Sequence, residues 1–226
     1  MLTKNHDQLA ATVKDRIEAG AVVQGLYWDG MHGNFIGCLA LGDNPLVLAY
    51  RFGLPVPLVR ICEDIFEEIT LDDAKAFFAA FPDAIGCDGK DLTRVHWAFM
   101  ASELRAIPKA PDAIQAVIDM AIEGVDLLSA GREWHTAEEV SDAACDAGWS
   151  ASEGEPAAAE AAQAAADCAA YPVICSSNVG DLVSHAARDA ALALSGSFTD
   201  ARKAIIAVRL RQRDTILRLI EQAPCR

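Results

Sequence analysis

A cysteine and a histidine lie close together in a glycine-rich segment near the start of the chain. Cys38 follows His32 by six residues, with glycines at positions 30, 33 and 37. A thiolate beside an imidazole is the nucleophile and base of cysteine hydrolases, and glycine amides can stabilise an oxyanion. One hypothesis is therefore a thiol-dependent hydrolase or transferase that uses Cys38 and His32. The alternative is structural: the glycines let the backbone pass close to packed helices, and Cys38 is buried.

The same segment contains three aromatic residues that suggest a second hypothesis. Tyr27, Trp28 and Phe35 fall within nine residues of one another. Apolar and aromatic side chains are the usual lining of small-molecule pockets. If these three line one pocket, the protein is a ligand-binding helical module.

A cluster of carboxylates follows in the next predicted helices. It consists of Glu63, Asp64, Glu67, Glu68, Asp72 and Asp73. Glu63 and Glu67, like Asp64 and Glu68, are four residues apart, so like charges are neighbours and each pair costs a few tenths of a kcal/mol. A cluster that opposes helix formation predicts an interaction surface for a basic protein partner or a divalent cation. The alternative is a solvated outer face.

Motifs for metals and cofactors are missing from the sequence. There is no Cys-x-x-Cys and no His-x-x-x-His. His135 has a ligand-capable spacing to Glu138 and Glu139, but one histidine does not make a zinc site, and Glu139 forms a capping box with Thr136. Phosphate loops, dinucleotide fingerprints, serine-hydrolase elbows and deaminase signatures are also missing. We therefore predict no metal and no cofactor.

The net charge excludes several classes of partner. The chain has 19 basic and 33 acidic residues, a formal charge of −14. Nonspecific nucleic-acid binding and docking on anionic lipid both need basic groups, so neither is expected. No apolar run has the length of a membrane span, and the N-terminus has no signal-peptide pattern. These features predict a cytoplasmic protein that does not contact membranes.

The C-terminal segment departs from this acidity. Residues 199–226 contain seven basic and three acidic residues. The predicted last helix also carries a wide apolar face. Three interpretations stay open: the face packs on the domain, it forms a homo-oligomer interface, or the helix contacts DNA.

Seven cysteines occur at irregular spacing. An odd number without a signal peptide indicates reduced thiols, most of them filling the core. Cys168 and Cys175 flank Tyr171-Pro172, and a disulfide between them is conceivable. Reduced packing is the prediction.

Helix signals dominate the rest of the chain. Caps or prolines predict helix starts at Asn44-Pro45, Pro55, Thr70, Pro111 and Thr136. We therefore predict an all-α fold, with helix in more than half of the residues. Any strand is expected within 21–41, as a short irregular hairpin or loop.

Breaks in this helical pattern predict the domain organisation. Tyr171-Pro172 is expected to end the alanine-rich helix, and Ser177 or Asn178 to cap the next. Gly148 to Pro156 has the composition of an exposed loop. We predict a single helical domain over 1–226, which this loop can subdivide into 1–147 and 157–226.

Several segments together resemble an uncharacterised group of bacterial and phage-associated helical proteins. The matching elements are Trp28 and Gly30 followed by Gly33-Asn-Phe-Ile-Gly37-Cys38, then Phe52-Gly53-Leu54-Pro55, Cys62-Glu-Asp-Ile-Phe-Glu67 and Arg211-Gln-Arg-Asp-Thr-Ile-Leu-Arg-Leu219. The resemblance covers most of the chain. It implies a helical fold and a mobile-element or defence-related context, and it implies no activity.

These observations favour a non-enzymatic, acidic interaction protein that acts through protein–protein contact. The thiol enzyme with Cys38 and His32 and the small-molecule-binding module remain the alternatives.

Overall fold

The computed structural model describes residues 1–151, 156–174 and 198–226, and helices cover more than half of the chain. The described helices are α1 (His6–Glu18), α2 (Phe35–Ala40), α3 (Leu46–Phe52), α4 (Val56–Glu68), α5 (Leu71–Ile85), α6 (Val95–Ala106), α7 (Asp112–Ser129), α8 (Ala137–Ala151), α9 (Pro156–Ile174) and α10 (Phe198–Gln222). Within these ranges there are isolated β-bridges but no strand, so the all-α prediction is confirmed. Among the described helices, none is long and apolar enough to cross a membrane.

Local sequence signals set most helix starts. Helices α3, α4 and α7 begin directly after Pro45, Pro55 and Pro111, because the ring of proline fixes a φ angle close to that of a helix. Thr70 caps α5 by accepting a hydrogen bond from the Asp73 amide at 3.2 Å. These predicted starts are confirmed.

Two segments differ from the prediction. Residues 35–40, expected in a hairpin or loop, form α2, because Asn34 caps it by accepting a bond from the Gly37 amide at 2.9 Å. Within the predicted segment 21–41, residues 21–34 and Leu41 lie outside the helix. Tyr171-Pro172 does not end the alanine-rich helix, since α9 continues to Ile174. Pro172 lies in the last turn of α9. The predicted helix after Ser177 or Asn178 lies outside the described residues.

The chain forms two compact units, and the boundary is not the predicted loop. Unit 1 comprises residues 1–95 and 209–226, and unit 2 comprises residues 96–208. The predicted loop at 148–156 is helical on both sides, because α8 continues to Ala151 and α9 begins at Pro156. Gly148 serves close packing instead: a Cβ there would lie 3.3 Å from the Cβ of Ala162 on α9.

Large aromatic residues fill the core of unit 1. Phe35 of α2 is fully buried, with ring centroids 5.1 to 6.2 Å from four other phenylalanines. These are Phe66, Phe77, Phe78 and Phe81. The short helix α2 is thereby anchored between α4 and α5.

Small residues fill much of the core of unit 2. Ala161, Ala162, Ala165 and Ala166 of α9 are buried in a cluster with residues of α7 and α8. Gly124 of α7 leaves room for the Trp134 indole, which a Cβ at this position would overlap. Unit 2 therefore depends on close approach of helices rather than on bulky side chains.

The cysteine prediction is wrong for one pair. Cys87 and Cys225 form a disulfide within unit 1, although 138 residues separate them. Cys38, Cys62 and Cys168 are free and buried, as predicted, and Cys145 is free and exposed. The conceivable partner of Cys168, Cys175, lies outside the described residues.

Candidate functional site

The structure does not assemble Cys38 and His32 into a catalytic pair. The Cys38 thiol is fully buried and donates to the Gly33 carbonyl at 3.0 Å, and burial raises its pKa to about 11. The His32 ring instead lies 3.4 Å from the Asp29 carboxylate. A thiol that stays protonated at neutral pH and faces a carbonyl lacks the activation that a nucleophile needs.

The glycines of this segment permit close backbone packing. A Cβ at Gly37, or one at Gly33, would overlap the Tyr27 carbonyl oxygen. The segment from Tyr27 therefore lies directly on α2, and the structural interpretation of these glycines fits the geometry.

Tyr27, Trp28 and Phe35 lie in three different environments. Phe35 belongs to the phenylalanine core, and the Trp28 ring lies under the Arg16 guanidinium, 4.8 Å from its centroid. Tyr27 is 41% exposed. Their placement does not bring them together around one cavity in the described part of the chain.

Glu63 and Glu67 hold the glycine-rich segment on α4. Glu63 Oε2 accepts the Ile36 amide at 2.8 Å, and Glu67 Oε2 accepts the Gly25 amide at 2.7 Å. Asn34 Nδ2 donates to Glu63 Oε1 and, at 2.9 Å, to Glu67 Oε1. Placing Glu63 on the surface was wrong, because it is only 5% exposed. Burial and the nearby charge of Glu67 raise the pKa of Glu63 to about 8.

Two further carboxylates of the six-residue cluster pair with α10. Arg209 Nε donates to Glu68 Oε2 at 3.0 Å, and Arg213 Nη1 donates to Asp73 Oδ1 at 3.2 Å. Asp64 is half-buried, and Asp72 alone in the cluster is exposed. The cluster is therefore part of the internal framework of unit 1, not a continuous acidic stripe.

A different set of carboxylates lies exposed in unit 2, and the sequence analysis missed it. Residues 112–151 contain nine acidic residues and one basic residue, Arg132. On α8, Glu138, Asp142 and Asp146 follow one another at four-residue spacing, and all three are exposed. Charge counted by segment is the signal that could have found them.

The described residues provide little compensation for this charge. The carboxylates of the acidic face, as we call it, are Asp112, Asp119 and Glu123 of α7 and Glu138, Glu139, Asp142 and Asp146 of α8. Within the described ranges, none of them forms an ion pair, whereas Asp126 pairs with Arg105. The pKa of the Cys145 thiol is raised, first by partial burial and then by the negative charges of Asp167, Asp142 and Asp146. The charges act in the direction expected of a local negative potential.

A shallow groove adjoins the acidic face. Its volume is about 500 Å³. Pro111, Ala113 and Ile114 at the start of α7 and Ala147 and Ala151 at the end of α8 give it apolar walls. Asp146 and Ser150 supply its polar groups. An apolar groove with a carboxylate at its rim suits a segment that has both apolar and basic side chains.

Neither a metal site nor an oligomer interface emerges from the other predicted residues. His135 lies 3.4 Å from Glu133, and the described residues contain no cluster of three groups able to hold a metal. On α10, Ile216 and Ile220 are fully buried within unit 1, so this part of the apolar face packs in the fold. Oligomerisation through α10 stays a prediction.

Comparison with known proteins adds no relative. No protein-family model matches the sequence, and no match was found among curated proteins or solved structures.

Proposed function

We propose that this protein is a non-enzymatic interaction protein that binds a basic protein segment on the acidic face of unit 2. The observation that carries the proposal is the set of exposed carboxylates on α7 and α8 that lack ion pairs among the described residues. Like charges four residues apart on one helix oppose its folding. A basic partner would relieve this repulsion and gain electrostatic steering toward the face.

The groove beside the face defines the chemistry of the partner more closely. Its alanine, proline and isoleucine walls take aliphatic side chains, and Asp146 meets a lysine or arginine at the rim. Trp149, 85% exposed, follows Asp146 by three residues on α8. An indole is a frequent anchor in interfaces and attracts cations through its ring face. The expected partner is an amphipathic helix with basic and aliphatic faces.

This proposal moves the interaction surface from unit 1 to unit 2. The predicted surface at Glu63, Asp64, Glu67, Glu68, Asp72 and Asp73 has most of its carboxylates engaged inside unit 1. Charges already paired offer little further attraction to a partner.

The location, the lack of a cofactor and the biological context are further parts of this proposal. We place the protein in the cytoplasm, with no cofactor, and in the mobile-element or defence-related context that the resemblance implies. The thiol enzyme and the small-molecule module have less support, because Cys38 is buried away from His32 and the three aromatic residues are dispersed.

A binding experiment with a synthetic peptide tests the proposal. The probe is an amphipathic helix of leucine and lysine, and the readout is the association rate measured by stopped-flow fluorescence. The variant Glu138→Gln/Asp142→Asn/Asp146→Asn should slow association about tenfold at low salt, and the difference should shrink at high salt as screening increases.

The matched control removes the same charge from unit 1. Asp43→Asn/Asp72→Asn/Asp83→Asn changes three exposed carboxylates there and should leave association close to that of the wild type. A peptide of the same composition in scrambled order should bind more weakly. Equal effects of the two triple variants, or equal binding of the scrambled peptide, would reject the acidic face as a specific site.

A further inference from the structure

Both ends of the chain converge on the loop between α5 and α6. Thr3 and Lys90 join the N-terminal segment to it, with the Thr3 amide donating to the Lys90 carbonyl at 2.9 Å. The C-terminal segment lies on the same loop: the Asp91 amide donates to the Pro224 carbonyl at 2.8 Å, and the Arg226 amide to the Gly89 carbonyl at 2.9 Å. The Cys87–Cys225 disulfide is the covalent link in this arrangement.

The disulfide includes an exposed cysteine, whereas three of the four free cysteines in the described part of the chain are buried. Cys225 is exposed and Cys87 is half-buried. Of the free cysteines in the described part of the chain, Cys145 alone is exposed. Thiol–disulfide exchange needs direct access of a thiolate to one sulfur, and Cys225 offers it.

We propose that Cys87 and Cys225 form a reversible thiol–disulfide site that fastens the C-terminal segment 223–226 when oxidised and frees it when reduced. The reductant is a dithiol. Its thiolate attacks the Cys225 sulfur, the bond to Cys87 breaks, and Cys87 leaves as a thiolate that takes up a proton. The second thiol of the reductant then attacks the mixed disulfide. Cys225 is released as a thiol, and the reductant leaves as a cyclic disulfide.

The contacts that remain after reduction confine the change to the tail. Two backbone hydrogen bonds to the loop and the Arg226–Asp91 ion pair at 3.0 Å, in which only the arginine is exposed, would still hold residues 224–226. So small a set of contacts opens more readily than the packed core of a helix. Helix α10 stays attached, because Ile216 and Ile220 are buried. The buried Lys90 also ties α10 to α5, since its ammonium donates to the Glu221 and Ala84 carbonyls at 2.9 and 3.0 Å.

Hydrogen exchange of the full-length protein, with and without dithiothreitol, tests the inference. Maleimide labelling and peptide mapping follow the two thiols in the same samples. Under native conditions, dithiothreitol should expose both thiols and speed exchange of the Asp91 and Arg226 amides about tenfold or more, because local opening sets their protection. Amides of α10 near Ile216 should keep their protection. Oxidised glutathione should restore the original pattern.

Two variants separate the tail from other effects of reduction. Cys225→Ser should exchange rapidly at Asp91 with or without reductant, and Cys145→Ser, which removes the exposed free thiol, should behave like the wild type. The inference is overturned if dithiothreitol frees neither thiol before the protein unfolds. It is also overturned if both thiols appear while exchange at Asp91 and Arg226 stays unchanged, or if α10 is lost together with the tail.

Discussion

The two units use their acidic residues in opposite ways. In unit 1, Glu63 and Glu67 accept backbone and amide bonds from the glycine-rich segment, and Glu68 and Asp73 pair with arginines of α10. In unit 2, carboxylates such as Asp142 and Asp146 are exposed and form no ion pair among the described residues. By sequence, unit 1 has 13 basic and 16 acidic residues, whereas unit 2 has six and 17. The net charge of −14 is therefore mainly a property of unit 2.

The cores differ in a parallel way. Unit 1 surrounds Phe35 with large rings, whereas unit 2 packs alanines of α9 and fits Trp134 against Gly124. A core of large side chains loses most stability when one of them is truncated. A core of small side chains loses most stability when one of them is enlarged. The contrast predicts opposite sensitivities to mutation.

The largest effect is expected from truncating the aromatic core of unit 1. Phe35→Ala should lower the free energy of unfolding by about 4 kcal/mol, because a fully buried ring is lost and a cavity remains. Urea unfolding monitored by circular dichroism measures the change. Phe35→Leu, which keeps most of the volume, should cost clearly less. Equal costs for the two variants would show that ring packing is not what stabilises α2.

The next effect is the pH dependence caused by Glu63. Its pKa is about 8 in the folded protein and is ordinarily 4.5, so the folded state holds the proton more tightly than the unfolded state. This stabilisation is complete below about pH 4.5 and is lost as the pH rises to about 8. The wild type should lose a few kcal/mol over this window, at up to about 1.4 kcal/mol per pH unit.

The variant Glu63→Gln isolates this contribution. Between pH 5 and pH 8, the free energy of unfolding of this variant should fall less steeply with pH than that of the wild type. Urea unfolding of both proteins at several pH values measures the two slopes. Glu63→Gln should also be less stable than the wild type near pH 5. Both oxygens of protonated Glu63 can still accept a hydrogen bond, whereas the amide nitrogen of glutamine cannot accept one from the Ile36 amide or from Asn34 Nδ2. Parallel pH profiles for the two proteins would contradict a proton held at Glu63.

A smaller effect is expected from enlarging the close helix contacts of unit 2. Gly124→Ala should cost about 2 kcal/mol, because the new methyl group overlaps the buried Trp134 ring. Gly148→Ala is the matched control, since its Cβ would lie 3.3 Å from the Ala162 Cβ and needs only a small adjustment. Thermal unfolding followed by Trp fluorescence compares them. A larger cost at Gly148 than at Gly124 would refute this view of the unit 2 core.

The smallest effect concerns the acidic face, and its sign is the informative part. Asp142→Asn/Asp146→Asn should raise the free energy of unfolding by about 0.5 kcal/mol, because repulsion between neighbouring carboxylates on α8 is removed. The corresponding double variant in unit 1, Glu63→Gln/Glu67→Gln, should instead destabilise, since both side chains accept several hydrogen bonds there. If both double variants changed the free energy of unfolding in the same direction, the carboxylates of the two units would not differ in their effect on stability.

For most candidate site residues, the sequence allows several roles and does not decide between them. The spacing of Cys38 and His32 allowed a catalytic pair, and only their contacts showed the thiol against Gly33 and the imidazole against Asp29. The four-residue spacing of Glu63 and Glu67 correctly predicts two neighbouring carboxylates on one helix. Periodicity could not show that this helix face lies against the Ile36 and Gly25 amides.

The helical class and most helix starts follow from local signals, because proline rings, Thr70 and the apolar periodicity act within a few residues along the chain. Which distant residues meet depends on how the helices pack. Cys87 pairs with Cys225, Glu68 with Arg209, and the last part of α10 returns to unit 1. These choices depend on burial and on long-range packing, which local propensity does not encode. Acidic residues therefore accept internal hydrogen bonds on α4, whereas on α8 they are exposed charges.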